Sequence, residues 1–153
     1  MNHQRHIHVK KDGFTISTDP SLLDIDLVHK FLSEDSYWAA GMTHEEVSDT
    51  AEGSLCFGVY TEDGRQVGFA SVETDFASFA YLTDIFIMEE FRGQGLSQWL
   101  IETIIAHPDL QDLESWMLVT DDAQGLYEKF GFKPIPGSPG HMERLNPKFF
   151  KKS

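Results

Sequence analysis

An apolar stretch, SFAYLTDIFIM (78–88), runs into a second one, LSQWLIETII (96–105), through the connector EEFRGQG. The first is rich in aromatic and β-branched residues and apolar enough for a strand buried on both faces. The second sets Leu96, Trp99, Leu100, Ile104 and Ile105 at helical spacing and stops before His107-Pro108, because the residue ahead of a proline is driven out of the helical region. A strand that becomes a helix across Gly93 and Gly95 commits the chain to a sheet with a helix packed on it. The two glycines admit two readings. They can simply permit a turn. They can also let the first N–H groups of the helix, at the positive end of its dipole, close around an anion such as a pyrophosphate. The string alone leaves both open: R-G-Q-G lacks the Lys-Ser/Thr ending of a nucleotide P-loop and the third glycine of a dinucleotide fingerprint.

The flanking patterns fill in the rest of the sheet. GFTISTD reads as a short strand through Phe14 and Ile16. Asp19-Pro20-Ser21 opens an amphipathic helix carrying Leu22, Leu23, Ile25, Leu27, Val28, Phe31 and Leu32. THEEVSDTAEG is a second helix, with Thr43 and Glu46 spaced as a capping box. SLCFGVYTEDGRQVGFASVETD is a hairpin that turns at Glu62-Asp63-Gly64. Downstream, SWMLVT is a strand, DAQGLYEKFG a short helix stopped by Gly131, and FKPI and HMERL two more strands. The order β-α-α-β-β-β-α-β-α-β-β describes an α/β domain, α+β by some schemes, with a mixed sheet and helices on its faces. No repeat or linker divides residues 1–153, so a single domain is expected, with residues 1–12 as a flexible arm.

Charge narrows the partners. With 25 acidic against 12 basic residues the formal net charge is -13, which argues against nucleic acid, since phosphate neutralisation needs clustered Lys and Arg. Acidity favours cationic substrates through long-range attraction, and it equally serves solubility. An anionic ligand must be held by local groups, which directs attention back to Arg92. The single Cys56 cannot form an intramolecular disulfide and suits a reducing, cytoplasmic compartment. Its setting, SLCFGVY, makes it a small core residue rather than a nucleophile. No apolar run approaches the roughly 20 residues of a membrane helix, and the polar start MNHQRHIHVKKDG carries no secretory signal. His3, His6 and His8 are scattered along that arm and read as solvated; no metal is expected.

A second motif follows at GLYEKFGF (125–132). As plain structure it is a short amphipathic helix with Leu126 and Phe130 inward and Gly131 as C-cap. Tyr127 can be a half-buried aromatic, or it can present a phenol to a reacting centre. Taken together, the strand, RGQGLS, helix, strand and LYEKFGF resemble the GNAT superfamily of N-acetyltransferases. The resemblance covers residues 54–135 well and the whole element order in outline. Its loop pattern, Q/R-x-x-G-x-G/A, aligns with Arg92, Gly95 and Ser97, Ser97 standing where Gly or Ala is usual.

The resemblance implies a mixed, mostly antiparallel sheet with a splayed strand at an acetyl-CoA site and helices on both faces. It implies that acetyl-CoA is the co-substrate and that an amine, on a small molecule or a protein, attacks the thioester directly. Pantetheine would lie along Ile85, Phe86 and Ile87. Pyrophosphate would meet Arg92, Gly93, Gln94, Gly95, Leu96 and Ser97, with Gln98 close by. Thr120 stands where the family often has an asparagine that contacts pantetheine, and Asp121 and Asp122 would cap the next helix. Tyr127 matches the tyrosine that protonates the departing thiolate. A base is less defined. Asp84, a charge inside an apolar strand, serves as base or water relay, or else braces a neighbouring loop. Glu73 and Asp75 are alternatives, and Thr83 occupies the position that is sometimes a glutamate base. Tyr37 and Trp38 line the acceptor pocket or cover the core, and His141 is left unplaced. GNAT proteins are commonly dimers, so a homodimer is compatible. A non-catalytic acyl-CoA-binding sensor is the rival reading, with the loop intact and acid and base dispensable.

Overall fold

The computed structural model describes residues 6–36 and 39–149. Among them, eight strands form one sheet: β1 His8–Lys11, β2 Phe14–Ser17, β3 Leu55–Thr61, β4 Gln66–Thr74, β5 Phe79–Ile87, β6 Ser115–Val119, β7 Lys133–Pro134 and β8 His141–Leu145. Four α-helices accompany them: α1 Ile25–Lys30, α2 His44–Gly53, α3 Leu96–Ile105 and α4 Gln124–Glu128. The strand order is β1-β2-β3-β4-β5-β6-β8-β7. Neighbours are antiparallel except for β5 and β6, which run parallel with α3 as their crossover. This is the mixed, mostly antiparallel sheet expected.

Strand alternation puts helices on both faces. Cys56, Phe69 and Phe86 share a buried cluster with Val28, Phe31, Leu32 and Val47 of the α1–α2 segment. Their chain neighbours Phe57, Ala70 and Ile87 turn the other way, into a larger cluster with Leu96, Leu100, Ile101 and Ile104 of α3 and Tyr127 of α4. Period-two alternation sends successive side chains to opposite faces, so one sheet separates two helical layers. Cys56 is buried in the first cluster.

Local chemistry sets the boundaries. Thr43 Oγ1 accepts the Glu46 N–H at 3.1 Å while the Glu46 carboxylate accepts the Thr43 N–H at 3.1 Å, a complete capping box that starts α2. Two boundaries differ from expectation. The helix foreseen from Asp19 is only a 3-10 turn at Pro20–Leu22. α1 starts later because Asp24 takes the capping role, accepting the Leu27 N–H, and its own N–H is drawn to Gln66 Oε1 at 2.7 Å. Within the segment expected to be an arm, His8–Lys11 pair with β2 over four residues, and Ile7 and Val9 pack against the core. Their alternation with polar neighbours is a strand pattern that the surrounding histidines and lysines obscure.

β5 is the strand that shapes the molecule. Its first half, Phe79–Leu82, is paired on both edges, to β4 and to β6. Its pairing with β6 ends at Leu82–Leu118, and from there the two strands part. At the same point β5 carries a bulge. Phe69 faces Phe86 and Ser71 faces Thr83, so Asp84 and Ile85 together stand opposite Ala70. Asp84 has φ 55°, the left-handed conformation that asparagine and aspartate tolerate better than other residues with a Cβ. A bulge bends its strand and sharpens the twist, which is the local cause of the splay. The strand is also less buried than its composition suggested: Phe79 is 44% exposed.

Candidate active site

The splay opens a cleft of about 700 Å³, within the size range of small-ligand sites. Thr83, Asp84 and Ile85 form one wall; Leu118, Thr120 and Tyr127 line the other side. Glu46 and Thr50 of α2 close it from the α1–α2 face, with Glu73 and Tyr81 beside them. Glu73 and Tyr81 are cross-strand partners, and by alternation from Phe69 they lie on that same face. The cleft therefore reaches through the sheet, from the α2 layer to Tyr127 in the α3–α4 layer.

Past the end of β5 comes the glycine loop. A 3-10 turn, Glu89–Phe91, precedes it. Gly93 has φ 82° and Gly95 φ 80°, values that cost a residue with a Cβ roughly 1–2 kcal/mol each. A Cβ added at either would meet no atom within 4 Å. Internal packing therefore does not demand these glycines; backbone conformation does, and the space in front of them is open. No side chain caps α3, whose N-cap is Gly95 itself. Its first N–H groups, of Leu96, Ser97 and Gln98, precede the first intrahelical bond, Trp99 N–H to Gly95 O at 3.0 Å. Uncapped N–H groups at a helix start, with unobstructed glycines before them, fit an anion such as pyrophosphate. Ser97 is half-buried in the first turn, so a small side chain fits where Gly or Ala was expected. Arg92 uses its Nε to donate to Ile87 O at 2.9 Å, tying the loop to the end of β5. Gln94 donates from Nε2 to Phe91 O at 3.2 Å.

Phe86 and Ile87, expected along pantetheine, are buried in opposite layers, while Ile85 alone of the three lines the cleft. Their backbone lies on the length of β5 that has lost β6. Tyr127 is 7% exposed, lines the cleft and meets the Phe132 ring edge-on at 5.9 Å. Asp84 lines the same cleft. Its charge helps to hold the buried Cys56 thiol up at about 12, after burial, which is the larger cause; the thiol stays protonated. Its place in an apolar strand now has a conformational reason, the bulge, beside any chemical one.

Several expectations change. Asp121 and Asp122 do not cap α4. α4 has no side-chain cap; Thr120 braces the chain ahead of it, its Oγ1 accepting the N–H of the N-cap residue Ala123 at 3.1 Å, while its own N–H donates to Gly140 O at 2.8 Å. Asp121 and Asp122 are exposed and line the cleft instead. Asp75 is a turn organiser: its carboxylate accepts the N–H groups of Ala77, Ser78 and Phe79 and the Ser78 hydroxyl, which hold its pKa well below the usual carboxylate range. His141 pairs with Val119 at the first residue of β8 and does not line the cleft. Tyr37 and Trp38 lie outside the described residues. Sequence reading passed over Tyr81, Thr50 and the Glu46 carboxylate as cleft residues. The capping box does mark where Glu46 sits, at the first turn of α2. No group of three or more His, Cys, Asp or Glu among the described residues could hold a metal ion.

Known proteins with this architecture give the class. A family model described as an acetyltransferase (GNAT) domain matches residues 52–134. A provisionally assigned acetyltransferase of Gibberella zeae is 31% identical over 143 aligned residues, covering 78% of each protein. A crystal structure from Xanthomonas campestris pv. campestris, provisionally assigned as a GNAT family acetyltransferase, is 45% identical, with a TM-score of 0.80 over 94% of this chain and all of that one. A GNAT family acetyltransferase from Elizabethkingia anophelis, solved with acetyl-CoA bound, has the same fold at 16% identity and a TM-score of 0.61, covering 89% of this chain and 100% of that one. The chain belongs to the GNAT acetyltransferase family, and acetyl transfer is its general chemistry.

Proposed function

We propose that the protein transfers an acetyl group from acetyl-CoA to a primary amine, on a small molecule or a protein, by direct attack on the thioester. The observation that carries this reading is the succession along one strand and loop: the bulge and splay of β5, a cleft with Asp84 and Tyr127 on its walls, then the uncapped start of α3 behind Gly93 and Gly95. The acetyl-CoA held by the Elizabethkingia anophelis relative adds support.

Acetyl-CoA supplies an activated acyl thioester. The first-turn N–H groups of α3, with Gly93 and Gly95, bind its pyrophosphate, and Arg92 fixes that loop against Ile87. The unpaired length of β5, through Ile85, Phe86 and Ile87, offers backbone hydrogen bonds to the pantetheine arm and donors to developing oxyanion charge. Thr120 orients the wall opposite. The Tyr127 hydroxyl donates a proton to the departing sulfur. Asp84 takes the proton from the incoming amine, directly or through a water. The buried free thiol of Cys56 supports a reducing, cytoplasmic setting.

Acetyl-CoA is expected to raise Tm by an amount that grows with ligand concentration. Tyr127→Phe should keep acetyl-CoA affinity in calorimetry and lower kcat, measured by CoA release, by roughly 10²-fold, in the range of lost general-acid catalysis. Unchanged kcat across several amines would remove Tyr127 from that role.

A further inference from the structure

The turn that leads into the glycine loop carries the wrong charge for an anion site. Glu89 and Glu90 open the 3-10 turn just ahead of Arg92 and Gly93, and both are exposed. Carboxylates there repel an incoming anion. A residue far along the chain answers one of them. Arg65 Nη2 donates to Glu90 Oε1 at 2.9 Å, and the same guanidinium lies over the Phe91 ring, 5.3 Å from its centroid. Phe14 meets that ring edge-on at 6.1 Å, so Phe91 is gripped from two distant stretches of sequence. Arg65 is itself set by the β3–β4 hairpin: its N–H donates to Thr61 Oγ1 at 3.2 Å, and its carbonyl accepts the Thr61 N–H at 2.9 Å. The pairing of Gly68 with Ile87, and the Met88 N–H on Val67 O at 2.8 Å, bring this end of the hairpin beside the turn.

The Arg65 and Glu90 side chains are 48% and 58% exposed, and an ion pair so exposed contributes little to folding. What it holds is the exit of the turn. The Phe91 carbonyl accepts from Gln94 Nε2 at 3.2 Å, and Arg92, next in the chain, is tied to Ile87 O. We propose that Arg65 is a positioning residue for acetyl-CoA. Its guanidinium bonds Glu90 at an edge and covers Phe91 with its face, so it fixes the turn from which the pyrophosphate loop leaves and neutralises one carboxylate beside the incoming anion. This rests on the reading above, in which that loop binds the pyrophosphate of acetyl-CoA, and adds to it a residue outside the loop. Planarity matters, because a guanidinium can bond at its edge while its face stacks on a ring, and an ammonium cannot. A loop that is already ordered binds without the entropy of ordering it.

The test measures acetyl-CoA affinity by calorimetry for the wild-type protein, Arg65→Ala, Arg65→Lys and the double variant Arg65→Ala/Glu90→Gln, with the Tm of each in the absence of ligand. Arg65→Ala should bind about tenfold more weakly, the combined order of one exposed ion pair and one cation–π contact, while its ligand-free Tm stays close to the wild-type value. That defect should shrink as salt rises. Arg65→Lys, which keeps the charge and gives up the planar fork, should recover part of the loss. Glu90→Gln in the Arg65→Ala background should also recover part of it, by removing the carboxylate left beside the anion. Unchanged affinity in Arg65→Ala overturns the proposal and leaves the loop reading standing. So does a loss that neither Arg65→Lys nor Glu90→Gln reduces, or one matched by a fall in Tm, since either marks general disruption of the fold. No acetyl-CoA binding by the wild-type protein removes the reading beneath.

Discussion

The two halves of β5 are nine residues of one strand with opposite assignments. Phe79–Leu82 is held on both edges, and its partner Trp116 is buried at 3% exposure. Thr83–Ile87 pairs with β4 and has left β6, starts in a bulge and borders the cleft. The same kind of sequence serves both. What separates them is one extra residue in register, which turns a core strand into a strand with a free edge. A free edge is ordinarily a liability that invites pairing with another chain; here it is turned inward, toward a space sized for a ligand.

The contrast can be broken from either end. Trp116→Ala, in the paired half, should cost about 3–5 kcal/mol of stability, read from denaturant midpoints, while the folded fraction keeps its acetyl-CoA affinity. A parallel loss of affinity would mean that the halves are coupled. Gly95→Trp, beyond the free half, should do the reverse: about a hundredfold weaker acetyl-CoA binding, close to 2.7 kcal/mol, against a stability change near 1–2 kcal/mol from the left-handed backbone. The smallest effect sharpens the boundary itself. Asp84→Val should be less stable than Asp84→Asn by about 1 kcal/mol, because a β-branched residue resists φ 55° and asparagine does not. Equal stability of the two would show that the bulge straightens on substitution.

The sequence makes the connected parts of this architecture readable and hides the parts that depend on distant partners. The strand–glycine–helix passage, the hairpin at Glu62–Gly64 and the α2 capping box are local patterns, and the structure contains each of them. The bulge is not local: an extra residue on β5 exists only relative to Ala70 on β4. The start of α1 moved from Asp19 to Asp24 because Gln66, far along the chain, accepts the Asp24 N–H. At the site, the glycine loop and Tyr127 were visible because conformation and motif mark them. The acidic walls were not, since Glu46 and Asp121 look like any surface carboxylate or cap until the splay brings them to one cleft.

Cys56 has a practical consequence. It is buried, and burial pushes its thiol pKa up to about 12, so it is a poor target for a maleimide in the folded protein. The chain is a ready-made single-label platform. A cysteine introduced at exposed Gln94 or Val119 would carry a dye beside the helix start or at the cleft wall without first deleting the native residue, and fluorescence would then report ligand binding at each place.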